Sequence, residues 1–188
     1  MNDKHKSSLK QYVNDMIALE RDILNAVKSQ TEDDRVRGSV DLVTVLEQVV
    51  RNADTRIELL KELSHEEDGS LGAAVKESVT AVTGVLAGIY GKLREHPLSR
   101  MVRDDIVALE VTSVSYGMLL TLGLSIGHQK CVTVAEKGLE ETPPLIIALT
   151  DMLPLVVAHE LSEDAPLVNP AASQIAQTKI RDAWKVSR

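Results

Sequence analysis

Apolar residues recur every three or four positions through five long stretches of the chain, the spacing of an α-helix that buries one face. In the first, about Ser7 to Gln30, the stripe is Leu9, Tyr12, Val13, Met16, Ile23, Leu24 and Val27, and it stops before the charged run TEDDRVRG. A second stretch begins near Ser39 and carries Val43, Leu46, Val50, Ala53, Ile57 and Leu60 as far as the HEEDGS cluster, with Gly69 as its stop. A third, about Leu71 to Arg94, is rich in Ala, Val and Gly and ends before Pro97. The fourth, about Ser99 to Ile126, packs with Val102, Ile106, Leu109, Tyr116 and Leu120; Ser99 reads as its N-cap and Gly127 as its terminator.

The fifth stretch runs from about Gln129 towards Leu161 on Val132, Ala135, Leu139, Ile146, Leu149 and Leu153. Pro143, Pro144 and Pro154 lie inside it. A proline removes one backbone donor and crowds the preceding turn, which predicts a kink or break near Thr142 to Pro144. Asn169 and Pro170 read as cap and first turn of a last short helix ending around Trp184. The expected fold is all-α: an antiparallel bundle of four long core helices, an additional helix and a short C-terminal helix. Residues 1–164 would form the bundle and 165–188 a tail.

Composition narrows what fills that bundle. With no Phe, three Tyr and one Trp in 188 residues, the core must be built from Val, Leu, Ile, Ala and Met, which suits close helix packing better than a sheet sandwich. The net charge of -7 argues against a general nucleic-acid or anionic-membrane binder, since either needs clustered Lys and Arg. The N-terminus MNDKHKSSLKQY is polar where a secretory signal has its apolar core. The longest membrane-span candidate, Val111 to Ile126, is interrupted by Thr112, Ser113, Ser115 and Thr121. A soluble, cytoplasmic protein is expected. The single cysteine, Cys131, cannot form an internal disulfide and should behave as a small apolar residue.

One position breaks the pattern. Glu20 falls in the middle of the first stripe, one turn from Met16 and one turn from Ile23 and Leu24. Thr112, Ser113 and Thr142 interrupt the fourth and fifth stripes, and Asp54 lies at the edge of the second. A bundle could bring these to one level, where hydroxyls would donate to Glu20 or desolvation would leave it a proton. On that reading Glu20→Leu or Glu20→Gln should leave the protein folded and no less stable.

The run SRMVRDDIVALEVTSVSYGMLLTLG into SIGHQKCVTVAEKGLEET resembles the YciF-type ferritin-like proteins, a bacterial stress-associated group. NDMIALERDIL resembles the first-helix segment of that family, on Asp15 and Glu20. The likeness covers most of residues 10 to 160, most specifically Ser115, Tyr116 and Gly117 followed by Leu119, Thr121 and Leu122. It implies a ferritin-like bundle, a homodimer and a stress-associated role. Such bundles hold two iron or manganese ions with one Glu from each of two helices and a Glu-x-x-His from each of two others.

Residue by residue, Glu20 matches the first ligand. The second-helix pair falls on Arg51 and Asp54, the next on Leu109 and Thr112, and the last on Thr142 and Leu145, while Glu110 and Glu141 each stand one residue out of register. A pair of divalent ions needs several anionic ligands. The resemblance therefore implies a degenerate, metal-free site and a non-catalytic stress-associated or scaffold protein. The alternative is an iron or manganese carboxylate oxidase or peroxide-handling protein with the atypical ligands Glu20, Asp54, Glu110 and Glu141. A small-molecule-binding helical module is a third reading.

Glu62 and His65 form the only Glu-x-x-His, at an exposed helix end; His159 with Glu160 or Glu163 reads as another solvated end, and His96 and His128 as loop residues. Ser113 and Ser115 read as packing and hydrogen-bonding groups. The basic tail around Ile175, Ile180 and Trp184 fits either an arm docking on a second subunit or acidic partner, with Trp184 as anchor, or a helix packed on its own bundle.

Overall fold

The computed structural model describes residues 2–67 and 97–185, and among these every regular element is a helix. They are α1 (Asp3–Gln30), α2 (Asp34–Arg37), α3 (Val40–Glu67), α4 (Leu98–Ile126), α5 (Gln129–Asp164) and α6 (Ala172–Lys185). The predicted helix from Leu71 to Arg94 lies outside the described residues.

Local chemistry sets most boundaries. Asn2 caps α1 by accepting from the His5 N–H at 2.8 Å, and Asp33 caps the single turn α2, inside the charged run TEDDRVRG, by accepting from the Arg35 N–H at 2.9 Å. Gly127 ends α4 in the left-handed conformation, φ 67°, and the His128 N–H reaches back to the Gly123 carbonyl at 2.9 Å. Three expectations are corrected here. Ser99 is not the N-cap of α4: Pro97 holds that position without a side-chain bond, and the Ser99 N–H donates to Glu160 Oε1 of α5 at 3.0 Å. His128 is not merely a loop residue, because its Nδ1 caps α5 by accepting from the Cys131 N–H at 3.2 Å. Nor does α5 break near Thr142; it is one helix of 36 residues through all three prolines. The prolines lie outside the most buried line of α5, while Gly138, Thr142, Leu145, Leu149 and, beyond Pro154, Val156 stay packed in the core, so tertiary packing carries the helix across the missing bonds.

α1 and α3 each bury a seam with alternating steps of three and four, the spacing that keeps one line of side chains facing its neighbours. On α1 the seam is Leu9, Val13, Met16, Glu20, Ile23, Val27 and Gln30; on α3 it is Leu42, Leu46, Val49, Ala53, Arg56, Leu60 and Leu63. The α3 seam is turned relative to the expected stripe: Val43 and Val50 are only half-buried, and Arg56 enters the core.

α1 packs against α3 and α4, and α5 packs against the same two helices, so the four enclose one core. Glu20 faces both Arg56 and Tyr116, Gln30 faces Asp105, and Arg56 reaches Glu141. With Arg35 beside Met101, Asp41 across a cavity from residues 152–160, and Gly123 and Tyr116 against Cys131 and Gly138, these pairings make α1 antiparallel to α3 and to α4, and α5 antiparallel to both as well. Consequently α3 ends and α4 begins at opposite ends of the bundle.

α4 and α5 each contain an 18-residue stretch long and apolar enough to cross a membrane by composition, with mean hydropathies of 1.5 and 1.6. Both also supply core seams, while Val114, Met118, Leu124 and Ile147 remain exposed. The C-terminal helix α6 packs on α5 of its own chain. Arg181 grips Asp151 through two bonds of 2.9 and 3.0 Å, and Gln177 Nε2 donates to the Asp151 carbonyl at 2.6 Å. Trp184 is 50% exposed.

Candidate functional site: an arginine held inside the bundle

The interruption at Glu20 finds its partner in Arg56. Helical steps from Ala53 and to Leu60 place Arg56 on the α3 seam, and both Glu20 and Arg56 are 0% exposed. The two join as a fork: Arg56 Nε donates to Glu20 Oε1 at 2.7 Å and Nη2 to Oε2 at 3.0 Å. Arg56 Nη1 donates to Glu141 Oε2 at 3.2 Å, and Glu141 Oε1 meets Lys137 Nζ at 2.6 Å nearer the surface. The Tyr116 hydroxyl donates to Glu20 Oε1 at 2.8 Å, and its ring lies beside the guanidinium, 5.8 Å from Cζ to the ring centroid. Gly138 makes room for that ring, because a Cβ at 138 would overlap it.

The charges balance: Glu20 and Glu141 carry two negative charges, Arg56 and Lys137 two positive ones. Burial alone would pull the Arg56 guanidinium down, but Glu20, Tyr116 and Glu141 outweigh it and hold its pKa above the ordinary arginine value. Burial and then the Glu20 charge push the Tyr116 phenol well up. Both groups thus keep their protons throughout the neutral range, so neither is poised to exchange one in acid–base catalysis. What the cluster does is cross-link three helices and, through Tyr116, the fourth.

Of the four acidic residues singled out from the sequence, this layer unites Glu20 and Glu141. Asp54 and Glu110 are exposed, as is Arg51, so the atypical ligand set does not converge. Leu109, Thr112, Thr142 and Leu145 do lie in the core. Neither threonine serves Glu20: Thr112 Oγ1 donates to the Ala108 carbonyl at 2.9 Å, and Thr142 Oγ1 has no hydrogen-bond partner among the described residues. The hydroxyl that reaches Glu20 is that of Tyr116.

The donor set does not fit a pair of divalent ions. Two carboxylates converge, both are engaged by cations, and the guanidinium stands between them. Among the described residues no three His, Cys, Asp or Glu side chains gather as a metal-binding group. Glu62 and His65 are exposed, and His159 Nδ1 lies 3.8 Å from Glu163 at the surface. Ser115 Oγ bonds the Val111 carbonyl at 2.7 Å.

Sequence reasoning missed Arg56. Its signal was present, since 42, 46, 49, 53, 56, 60 and 63 share one unbroken spacing, but the apolar stripe runs equally well through Ile57 and passes over the charged residue beside it. Comparison with protein-family models, curated proteins and solved structures finds no match for this chain.

Proposed function

We propose that this chain is a ferritin-like helical bundle in which an arginine side chain takes the place of a dimetal centre, and that it acts through its surface as a non-catalytic, cytoplasmic, stress-associated or scaffold protein, as a homodimer. The observation that carries the reading is the Arg56 fork on Glu20, with Glu141 on its other side. A cation is needed where carboxylates from separate helices meet inside a bundle; here the chain supplies its own. Two further features favour the ferritin-like class: α3 and α4 run in the same direction, as in bundles with one long crossover, and Glu20 sits at mid-helix on an inward seam. The cluster's role in this reading is to fix the helices in register.

Metal analysis of protein purified from cells supplemented with iron and manganese tests it. No stoichiometric metal is expected. About two ions per chain, the content of a dimetal bundle, would overturn the reading. Light scattering tests the oligomer, with twice the 20.5 kDa chain mass expected.

A further inference from the structure

Away from the buried arginine, α2 and the first turn of α3 face the last turns of α5 and the start of α4 across a cavity of about 250 Å³. Its floor is apolar, made by Leu98, Met152, Leu155 and Val156. Its rim is polar, carrying Arg35, Asp41, Glu160 and His159. An apolar floor with a few polar groups at one side is the usual construction of a small-ligand site.

The charges on the rim indicate what it takes. Arg35 is paired with Asp33, which receives Nε at 3.0 Å and Nη2 at 2.6 Å, and the Glu160 carboxylate also acts on its charge. Glu160 uses Oε1 to hold the Ser99 N–H at 3.0 Å. Asp41 has no ion-pair partner among the described residues. Three carboxylates around one guanidinium leave the rim negative, with Asp41 and Glu160 facing the cavity. A void of about 150 Å³ accommodates benzene; one of about 250 Å³ holds a ring and a short arm.

We infer that this cavity binds a small hydrophobic ammonium, its apolar body against Leu98, Met152 and Leu155 and its charged head between Asp41 and Glu160. The site is independent of the arginine cluster and of the ferritin-like reading. An ammonium entering it keeps one face in water, which limits the desolvation cost, while a carboxylate of the same shape meets like charge.

Titration of the full-length protein with phenethylamine and with 3-phenylpropionate, its shape analogue of opposite charge, followed by amide NMR, tests this. Phenethylamine is expected to shift resonances around 38–41, 98 and 152–160 with a Kd on the order of 1 mM, and 3-phenylpropionate to bind at least about tenfold more weakly. Asp41→Asn, at an exposed position, should narrow that gap; Glu160→Gln, which keeps an acceptor for Ser99, should narrow it further. Leu155→Trp should block both probes. Equal binding of the two probes to the unmodified protein, shifts centred elsewhere, or no saturable phenethylamine binding below about 10 mM would each overturn the assignment.

Discussion

Replacing Glu20 by Leu isolates the central physical claim. Outside the context of Arg56 the substitution looks benign, because it puts an apolar side chain on an apolar seam. In the structure it removes both fork bonds and the Tyr116 bond while leaving a guanidinium 0% exposed, with Glu141 as its remaining carboxylate. Stripping one partner from a buried ion pair costs about 3–5 kcal/mol. The retained Glu141 contact sets the lower end, about 3 kcal/mol, as the expectation. For a chain of this size that is a fall of about 6–12 °C in melting temperature.

Arg56→Met should cost a similar amount, since Glu20 then keeps only Tyr116. The double variant Glu20→Leu with Arg56→Met removes both charges together and should recover most of the loss, ending within about 1 kcal/mol of the parent or above it. Urea unfolding followed by far-ultraviolet circular dichroism measures all four corners of the cycle. Independent, additive losses in the double variant, or a Glu20→Leu protein as stable as the parent, would refute the claim that these side chains hold each other. The earlier expectation that Glu20→Leu is harmless is thus replaced, and the reason is one residue on another helix.

Two further outcomes follow from the same packing. Gly138→Ala gains about 1 kcal/mol of helix propensity, yet its Cβ overlaps the Tyr116 ring, and overpacking of this kind costs about 1–3 kcal/mol; urea unfolding should show net destabilisation, and a more stable variant would place the ring elsewhere. Burial pushes the Cys131 thiol up from 9.0 to about 11, against a smaller opposing hydrogen bond with the Gly123 backbone. Because the folded value lies above the unfolded one, this contribution is fully present below about pH 9 and is lost as pH rises through 11. A thiol-specific reagent at pH 8 should therefore label Cys131 only at the rate of unfolding, and prompt labelling of the folded protein would contradict its burial.

The helical class, the ends of α1 and α5 to within a few residues, and the Gly127 stop were legible because they depend on near neighbours: spacing, capping and a left-handed glycine. Glu20 was also legible as an anomaly, since its own helix supplies all the apolar residues that make it one. The proline break failed for the opposite reason. Proline weakens a helix locally, and the packing of Gly138, Thr142, Leu145 and Leu149 against other helices is not a local quantity.

By itself, then, the chain determined where helices form and that a carboxylate would be buried in the first of them. Which cation answers that carboxylate was settled by tertiary structure. The rotation of α3 about its axis depends on how its whole seam packs against α1 and α5; the expected and observed stripes share Leu46, Ala53 and Leu60, and a turn of about 50°, half the step between successive residues, brings Arg56 into the core in place of the edge. Glu141, one residue out of the register that the family resemblance implies, reaches the cluster because a long side chain at the edge of a seam can bridge the last few ångströms to a guanidinium that another helix holds in place.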